Sequence, residues 1–98
     1  MLRHIVLLTL SGDAGESERD AMRAGIESLP QVIPEIEEYS IRFDLEISPG
    51  NASLVIMGDF ADEAAYRTYA EHPVHLDLIA QKIAPFVQSR SAVQVNIA

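Results

Sequence analysis

The spacing of the hydrophobic residues constrains the fold of this chain more than any other feature of its sequence. Some segments repeat hydrophobic residues at every second position or in short apolar runs, as β-strands do, and others repeat them at the spacing of amphipathic helices. Their order is strand, helix, strand, strand, helix pair, strand, with no linker or repeat across residues 1–98. A chain of this length forms one domain. We therefore predict a single α+β domain, a ferredoxin-like β-α-β-β-α-β unit with a four-stranded antiparallel sheet.

The strands are predicted from alternation and from the turn residues beside them. Residues 2–10 are largely apolar on both faces, so both faces should be covered. Residues 38–47 alternate cleanly, with one face polar and solvated. Residues 52–60 should form a hairpin with them through the Ser-Pro-Gly-Asn turn at 48–51. The last strand is predicted over residues 91–97, where Val93, Val95 and Ile97 share one face.

The helices are predicted from capping residues, prolines and apolar stripes. Ser17-Glu18-Arg19-Asp20 resembles a capping box and predicts a helix start at Ser17, and Pro30 and Pro34 close that segment. Asp62 should cap a helix to about residue 70, and Pro73 suits the first turn of the next one, which Pro85 should end or kink. The predicted core stripes are Met22, Ile26 and Leu29 on the first helix and Leu76, Ile79, Ala80 and Ile83 on the last.

One face of the predicted sheet has no helix to cover it. Two helices cover only one face of four strands, and the other keeps four apolar side chains, Ile5, Leu7, Val55 and Met57. Large exposed apolar patches are rare on monomers. We therefore expect a homodimer in which two such sheets pack face to face.

Charge and residue usage exclude several classes of function. The net charge is -8, with 15 acidic against 7 basic residues and no cluster of basic ones, so we expect neither nucleic acid nor a membrane surface as a partner. The absence of cysteine excludes disulfides and thiolate catalysis. The apolar start of the chain is too short to span a membrane and lacks the pattern of a signal peptide, which predicts a cytoplasmic protein.

A cofactor or metal is not expected either. The glycines form no nucleotide-binding pattern. His72 and His75 are spaced three residues apart, which could suit a metal, but no third ligand is evident and His72 is most simply a helix-capping residue.

Two stretches carry a family pattern: Leu-Arg-His-Ile-Val-Leu at 2–7 and, more specific, Tyr-Ala-Glu-His-Pro-Val-His at 69–75. They resemble the stress-responsive A/B barrel family, whose members are dimeric α-β barrels. Leu-Pro at 29–30, Ile-Pro at 33–34, Pro-Phe-Val at 85–87 and Ser-Arg at 89–90 also fit, so the resemblance covers essentially the whole chain. It implies a dimer in which two sheets form one barrel. A few relatives look like cofactor-free polyketide cyclases, and by their pattern His75 would be the base, Tyr69 its partner and His4 a neighbour in the same pocket.

The physical chemistry of these three residues is compatible with such a site. The positive end of the helix opened by Pro73 disfavours a charged His75, and a neutral imidazole can accept a proton. The phenol of Tyr69 could hold an oxyanion or a ligand carbonyl. Gly58 would leave room above the sheet, and the expected apolar walls are Met22, Ile26, Ile56 and Phe86.

A structural role remains an alternative for each of them. His75 could cap its own helix, His4 could be a hydrogen-bonded core histidine, and Tyr69 could serve packing alone.

The predicted function is binding of a small apolar or carbonyl-bearing molecule between sheet and helices. The alternative is a cofactor-independent enzyme with His75 as general base, and a cofactor-free monooxygenase rests on fold analogy alone. A packed interior would favour binding without turnover, and an open cavity with His75 and Tyr69 inward would favour the enzyme.

Overall fold

A four-stranded antiparallel sheet with helices on one face forms this protein. A computed structural model describes residues 1–97. The strands are β1 (Leu2–Leu10), β2 (Glu38–Phe43), β3 (Leu54–Phe60) and β4 (Val87–Asn96), in the order β2-β3-β1-β4. The helices are α1 (Glu16–Ser28), α2 (Glu63–Ala70) and α3 (Pro73–Leu78). This order and topology confirm the predicted ferredoxin-like α+β fold.

The register of β1 against its two neighbours decides which side chains face the helices. His4 lies opposite Gly58 of β3 and Gln94 of β4, and Leu8 lies opposite Arg90 of β4. Directly opposed residues of antiparallel strands point to the same face, so all of these share the helix-covered face. The largest fully buried side chains of the core are Phe60, Met22, Ile26, Leu29 and Ile33.

The opposite face of the sheet carries the predicted apolar side chains. Leu7 and Val93 are 44% and 49% exposed, and Ile5, Val55 and Met57 are half-buried. The same face holds a bidentate ion pair in which Arg3 Nε and Nη2 donate to Asp59 at 2.7 and 2.9 Å. This guanidinium holds the pKa of Asp59 below its usual range.

The second strand ends earlier than its alternation predicts. β2 stops at Phe43, and Leu45 and Ile47 lie in the following connection, 81% and 79% exposed. The Asp44 carboxylate accepts the backbone N–H of Glu46 at 3.0 Å, and Glu46 has a φ of 61°. An aspartate that bonds the backbone two residues ahead turns the chain out of the extended conformation.

The first helix begins before the predicted capping serine. α1 starts at Glu16, after Gly15, whose backbone N–H donates to the Glu18 carboxylate at 2.9 Å. Ser17 is therefore inside the helix, where its hydroxyl donates to Glu18 at 2.8 Å. The carboxylate that reaches back to the cap is that of Glu18, and glycine is an accepted residue at this position.

The second helical region is capped as predicted but ends in a different way. Asp62 accepts the Ala65 N–H at 2.8 Å, and His72 Nδ1 accepts the Val74 N–H at 3.1 Å. After α3 the chain continues in a π turn (Ile79–Ile83) and a 3₁₀ turn (Ala84–Phe86), and β4 starts at Val87 rather than at residue 91. A π turn changes the helical phase, so the predicted single stripe is wrong for Leu76, which is 53% exposed, and for Ala80, which is exposed as well.

Candidate functional site

A cavity of about 420 Å³ lies between the helix-covered face of the sheet and the helical region after β3. This size falls within the range of small-molecule sites in proteins, which are mostly apolar with a few polar groups. The lining is mostly aliphatic and aromatic and comprises His4, Val6, Leu8, Ile26, Tyr39, Ile56, Tyr66, Tyr69, Ala70, His75, Ile79, Ile83, Ala84, Val87 and Arg90.

His75 is held by the break between α2 and α3. Pro73 opens α3, and the Nδ1 of His75 lies 3.1 Å from the backbone carbonyl oxygen of Ala70. A carbonyl only accepts, so Nδ1 carries the proton and the neutral ring keeps its lone pair on Nε2. Burial lowers the pKa of His75. The hydrogen bond to Ala70 raises this pKa in part, and the charge of His72 lowers it by a smaller amount. His75 is therefore neutral near physiological pH and has a free acceptor nitrogen.

His4 has the opposite tautomer. The side-chain amide N–H of Gln94, its cross-strand neighbour, donates to His4 Nδ1 at 2.7 Å. The accepting nitrogen carries no proton, so the proton is on Nε2 and this nitrogen is a donor. Burial lowers the pKa of His4 to about 4, with smaller contributions from Arg90 and His75. The cavity thus combines a neutral histidine that donates with a neutral histidine that accepts.

Two buried tyrosines add a hydroxyl pair to the same wall. The hydroxyls of Tyr39 and Tyr69 lie 2.6 Å apart. Burial raises the pKa of Tyr69 to about 12, although the bond from Tyr39 lowers it in part, and burial raises the pKa of Tyr39 further. Both phenols therefore stay protonated at neutral pH. One O–H serves the bond between them, so the other can donate to a ligand.

Gly58 has a different role from the one expected. It lies opposite Tyr39 in the register of β2 and β3, and a Cβ atom at this position would lie 2.9 Å from Tyr39 Cδ1. The space above Gly58 is thus filled by the Tyr39 ring. The small residue permits the position of this tyrosine and does not leave open volume over the sheet.

The structure brings His4, Tyr69 and His75 together around one cavity. The ring centroids of Tyr69 and His75 are 4.3 Å apart, and those of His4 and Tyr69 are 6.4 Å apart. Their catalytic or binding roles stay predictions.

The structure places two of the four expected wall residues at the cavity. Ile26 and Ile56 line the cavity. Met22 does not, because it is fully buried in the core of the domain. Phe86 packs against the edge of that core and is also outside the lining.

Three polar residues that line the cavity were not predicted as site residues: Tyr39, Tyr66 and Arg90. Nor was Gln94, which bonds His4 from outside the lining. Tyr39 was on the inward face of the alternating second strand, and Tyr66 is one helical turn before Tyr69. The sequence pattern could therefore have identified both as residues that face the cavity. Arg90 lay outside the predicted last strand, and only the pairing of β4 with β1 brings it and Gln94 to this face.

No metal site and no membrane span is evident in the part of the chain that the structure describes. Within residues 1–97, no three side chains of His, Asp or Glu come together as a metal site requires. None of the helices in that range is long and apolar enough to cross a membrane.

The fold and the cavity together define a class: ferredoxin-like α+β domains with a small pocket between the sheet and the helices. The chain belongs to the stress responsive A/B barrel domain family, whose model matches residues 2–97. No curated protein matches the chain.

Solved structures of similar fold agree with this assignment. A dimeric ferredoxin-like protein of unknown function from Thermobifida fusca is 30% identical, with a TM-score of 0.89, 98% of this chain covered and 90% of the other. A Dabb family protein with a ferredoxin-like fold from Mesorhizobium loti is 22% identical, with a TM-score of 0.82 and coverage of 99% and 96%. The hydroxynitrile lyase of Passiflora edulis shares the fold at 19% identity, with a TM-score of 0.86 and coverage of 99% and 93%.

Proposed function

We propose that this protein binds a small, mostly apolar molecule that carries a carbonyl group, in the cavity beneath the helices. The observation that supports this is an apolar cavity of about 420 Å³ into which a few oriented polar groups converge. Apolar walls favour binding by removing hydrocarbon surface from water, at about 25 cal/mol per Å².

The polar groups select the ligand's functional group. His4 Nε2–H and the free O–H of the tyrosine pair are donors, and a carbonyl oxygen accepts from such groups. A purely hydrocarbon ligand would leave these donors without a partner, and burying an unpaired polar group costs about 1–3 kcal/mol. A carbonyl-bearing molecule avoids this cost.

A neutral naphthyl ketone, 6-propionyl-2-dimethylaminonaphthalene, tests the proposal because its emission moves to the blue in apolar surroundings. We expect saturable binding at one site per chain. The chain has three tyrosines and no tryptophan, and all three tyrosines line the cavity. Intrinsic tyrosine fluorescence should therefore change with the same affinity.

His75→Ala provides the variant for this test. It should weaken binding several-fold, because it removes part of the aromatic wall of the cavity. His72→Asn is the matched control, since it replaces a histidine outside the lining with another capping residue. Equal binding by wild type and His75→Ala, or no saturable binding at all, would contradict the proposal.

A cofactor-independent enzyme is the second candidate, supported by an open cavity that both Tyr69 and His75 line and by the free Nε2 of His75. In the tautomer set by Ala70 this nitrogen is a base. It would remove a proton from the carbon beside a bound carbonyl while His4 and the tyrosine pair hold the oxygen as negative charge develops there. The similarity to the Passiflora edulis lyase shows only that an enzyme can have this fold. No residue of the cavity favours a monooxygenase in particular, and that alternative stays a fold analogy.

Deuterium exchange separates the enzyme from a binding protein. The α protons of propiophenone exchange slowly with D₂O, and their loss can be followed by proton NMR. An enzyme should accelerate this exchange, His75→Gln should abolish the acceleration, and His72→Asn should retain it. Saturable binding of the naphthyl ketone together with an unchanged exchange rate would leave binding as the function.

We also propose that the chain forms a homodimer through the face of the sheet opposite the cavity. The exposed apolar side chains of this face support it, as does the dimer formed by the Thermobifida fusca relative. An open groove of about 450 Å³ that includes Leu7, Leu45 and Val55 extends this surface to the connection after β2. Independence from metal and cofactor, the lack of a nucleic-acid partner and a cytoplasmic location stay predictions.

A further inference from the structure

Arg90 is the charged residue at the mouth of the cavity. It pairs with Leu8 across β1 and β4, so its side chain lies on the helix-covered face, and it is both exposed and part of the lining. Within residues 1–97 its guanidinium makes neither an ion pair nor a side-chain hydrogen bond. Such a group is available to a ligand.

The charge of the cavity contrasts with that of the whole chain. The protein has a net charge of -8, but among residues 1–97 no Asp or Glu side chain lines the cavity. Both histidines of the lining are neutral, so Arg90 is the one cation among these described lining residues. The charge of Arg90 also acts on the cavity: burial dominates the pKa of His4 and of Tyr69, and Arg90 adds a smaller lowering contribution to each. An acidic protein that presents a single cation at an apolar pocket is suited to an anion with an apolar body.

We infer that the ligand of this cavity is a carboxylate-bearing molecule, with its acid group on Arg90 at the mouth and its apolar, carbonyl-bearing part inside. This inference rests on the proposed binding function and adds the anionic group. A guanidinium presents paired N–H donors that match the two oxygens of a carboxylate. The carbonyl then reaches the donors of His4 and the tyrosine pair, while the aliphatic and aromatic walls contact the body of the molecule.

A matched pair of probes tests the inference: 3-benzoylpropionate, an aromatic keto acid, and its neutral methyl ester. Binding of both is measured by tyrosine fluorescence and by calorimetry on the intact protein. The wild type should bind the acid more tightly than the ester. Raising the ionic strength should weaken binding of the acid and leave the ester unchanged, because salt screens an exposed ion pair.

Arg90→Gln should lower affinity for the acid by about fivefold to tenfold, which allows for solvent screening at an exposed site. The same variant should keep its affinity for the ester, since the ester has no charge to pair. Arg23→Gln makes the same chemical change on α1 outside the cavity, and it should bind both probes as the wild type does. Sedimentation of Arg90→Gln should show the assembly of the wild type.

Several results would overturn the inference, and they differ from failure of the proposed function. Equal binding of acid and ester by the wild type, or an equal loss of both in Arg90→Gln, would show that the cavity does not select a carboxylate. The proposed binding of a carbonyl-bearing ligand would still stand. Dissociation of Arg90→Gln into monomers would assign the arginine to the subunit interface instead. Failure of acid, ester and naphthyl ketone alike to bind the wild type would remove the proposed function and this inference with it.

Discussion

At the scale of single residues, the two histidines of the cavity differ because their hydrogen-bond partners differ. A backbone carbonyl accepts a hydrogen bond from His75 Nδ1–H, and an amide N–H donates to His4 Nδ1. Each bond sets a tautomer, so one ring presents a lone pair and the other an N–H. The same side chain at two positions therefore offers two different chemistries.

We predict that His4 makes the protein less stable as the pH falls from about 6.5 to about 4. Its folded pKa is lowered from 6.5 to about 4, so in this window the unfolded chain binds a proton that the folded chain does not. The stabilisation is complete above the unfolded pKa and is lost on acidification, by an amount on the order of 3 kcal/mol. Urea unfolding at several pH values measures it.

His4→Gln provides the control for this prediction. The lowered pKa values of His75 and Asp59 change stability in the same direction, so the comparison of slopes isolates His4. The variant should lose less stability per pH unit than the wild type between pH 6.5 and 4. An equally steep loss in both proteins would show that His4 titrates normally in the folded state.

We predict that Tyr39→Phe lowers the free energy of unfolding by about 1–2 kcal/mol, because it leaves the buried hydroxyl of Tyr69 without its partner. Tyr66→Phe is the control, since within residues 1–97 the Tyr66 hydroxyl makes no comparable side-chain bond. It should cost less than about 0.5 kcal/mol. Equal costs in urea unfolding would mean that the Tyr39–Tyr69 bond contributes no net stability.

At the scale of elements, two local features position the cavity residues. The absence of a side chain at Gly58 lets the Tyr39 ring of β2 cross over β3. The break at His72-Pro73 ends α2 close to Tyr69 and opens α3 just before His75. Each feature depends on one or two residues, so single substitutions test it.

We predict that Gly58→Ala lowers the free energy of unfolding by about 1–3 kcal/mol, as overpacking does in tight interiors. The added Cβ would lie 2.9 Å from Tyr39 Cδ1, so the ring must move. Gly12→Ala is the matched control, because nothing lies within 4 Å of a Cβ there. Equilibrium unfolding that gives equal stabilities for the two variants would refute close packing at Gly58.

At the scale of the whole molecule, the sheet has two apolar faces, but the helices cover only one of them. Leu7 and Val93 stay 44% and 49% exposed on the uncovered face. A second copy that packs against this face would remove these side chains from water, which is the physical reason for the proposed dimer.

We predict that Leu7→Glu converts the dimer to monomer and lowers stability, because the charge would be buried without a partner in the interface. Leu76→Glu makes the same change at an exposed position on α3, 53% accessible, and should leave assembly intact. Sedimentation at micromolar concentration distinguishes the two variants. A wild type that sediments only as monomer, or a dimeric Leu7→Glu, would refute the proposed interface.

The sequence by itself determined the order of the elements and which residues share a face of each element. It also predicted that His4, Tyr69 and His75 meet at one cavity. Periodicity is local: alternation placed His4, Val6 and Leu8 on one face of β1, and His72-Pro73 marked the break between α2 and α3. These features depend on neighbours a few residues away, so they can be predicted without a structure.

Only the tertiary structure decided the chemistry of the cavity. The tautomer of His4 depends on Gln94, which is 90 positions away, and the place of Arg90 depends on how β4 pairs with β1. The early end of β2 and the π turn after α3 also changed which side chains face inward. Pairing across long separations is set by packing of the whole domain, and no local pattern in the sequence specifies it.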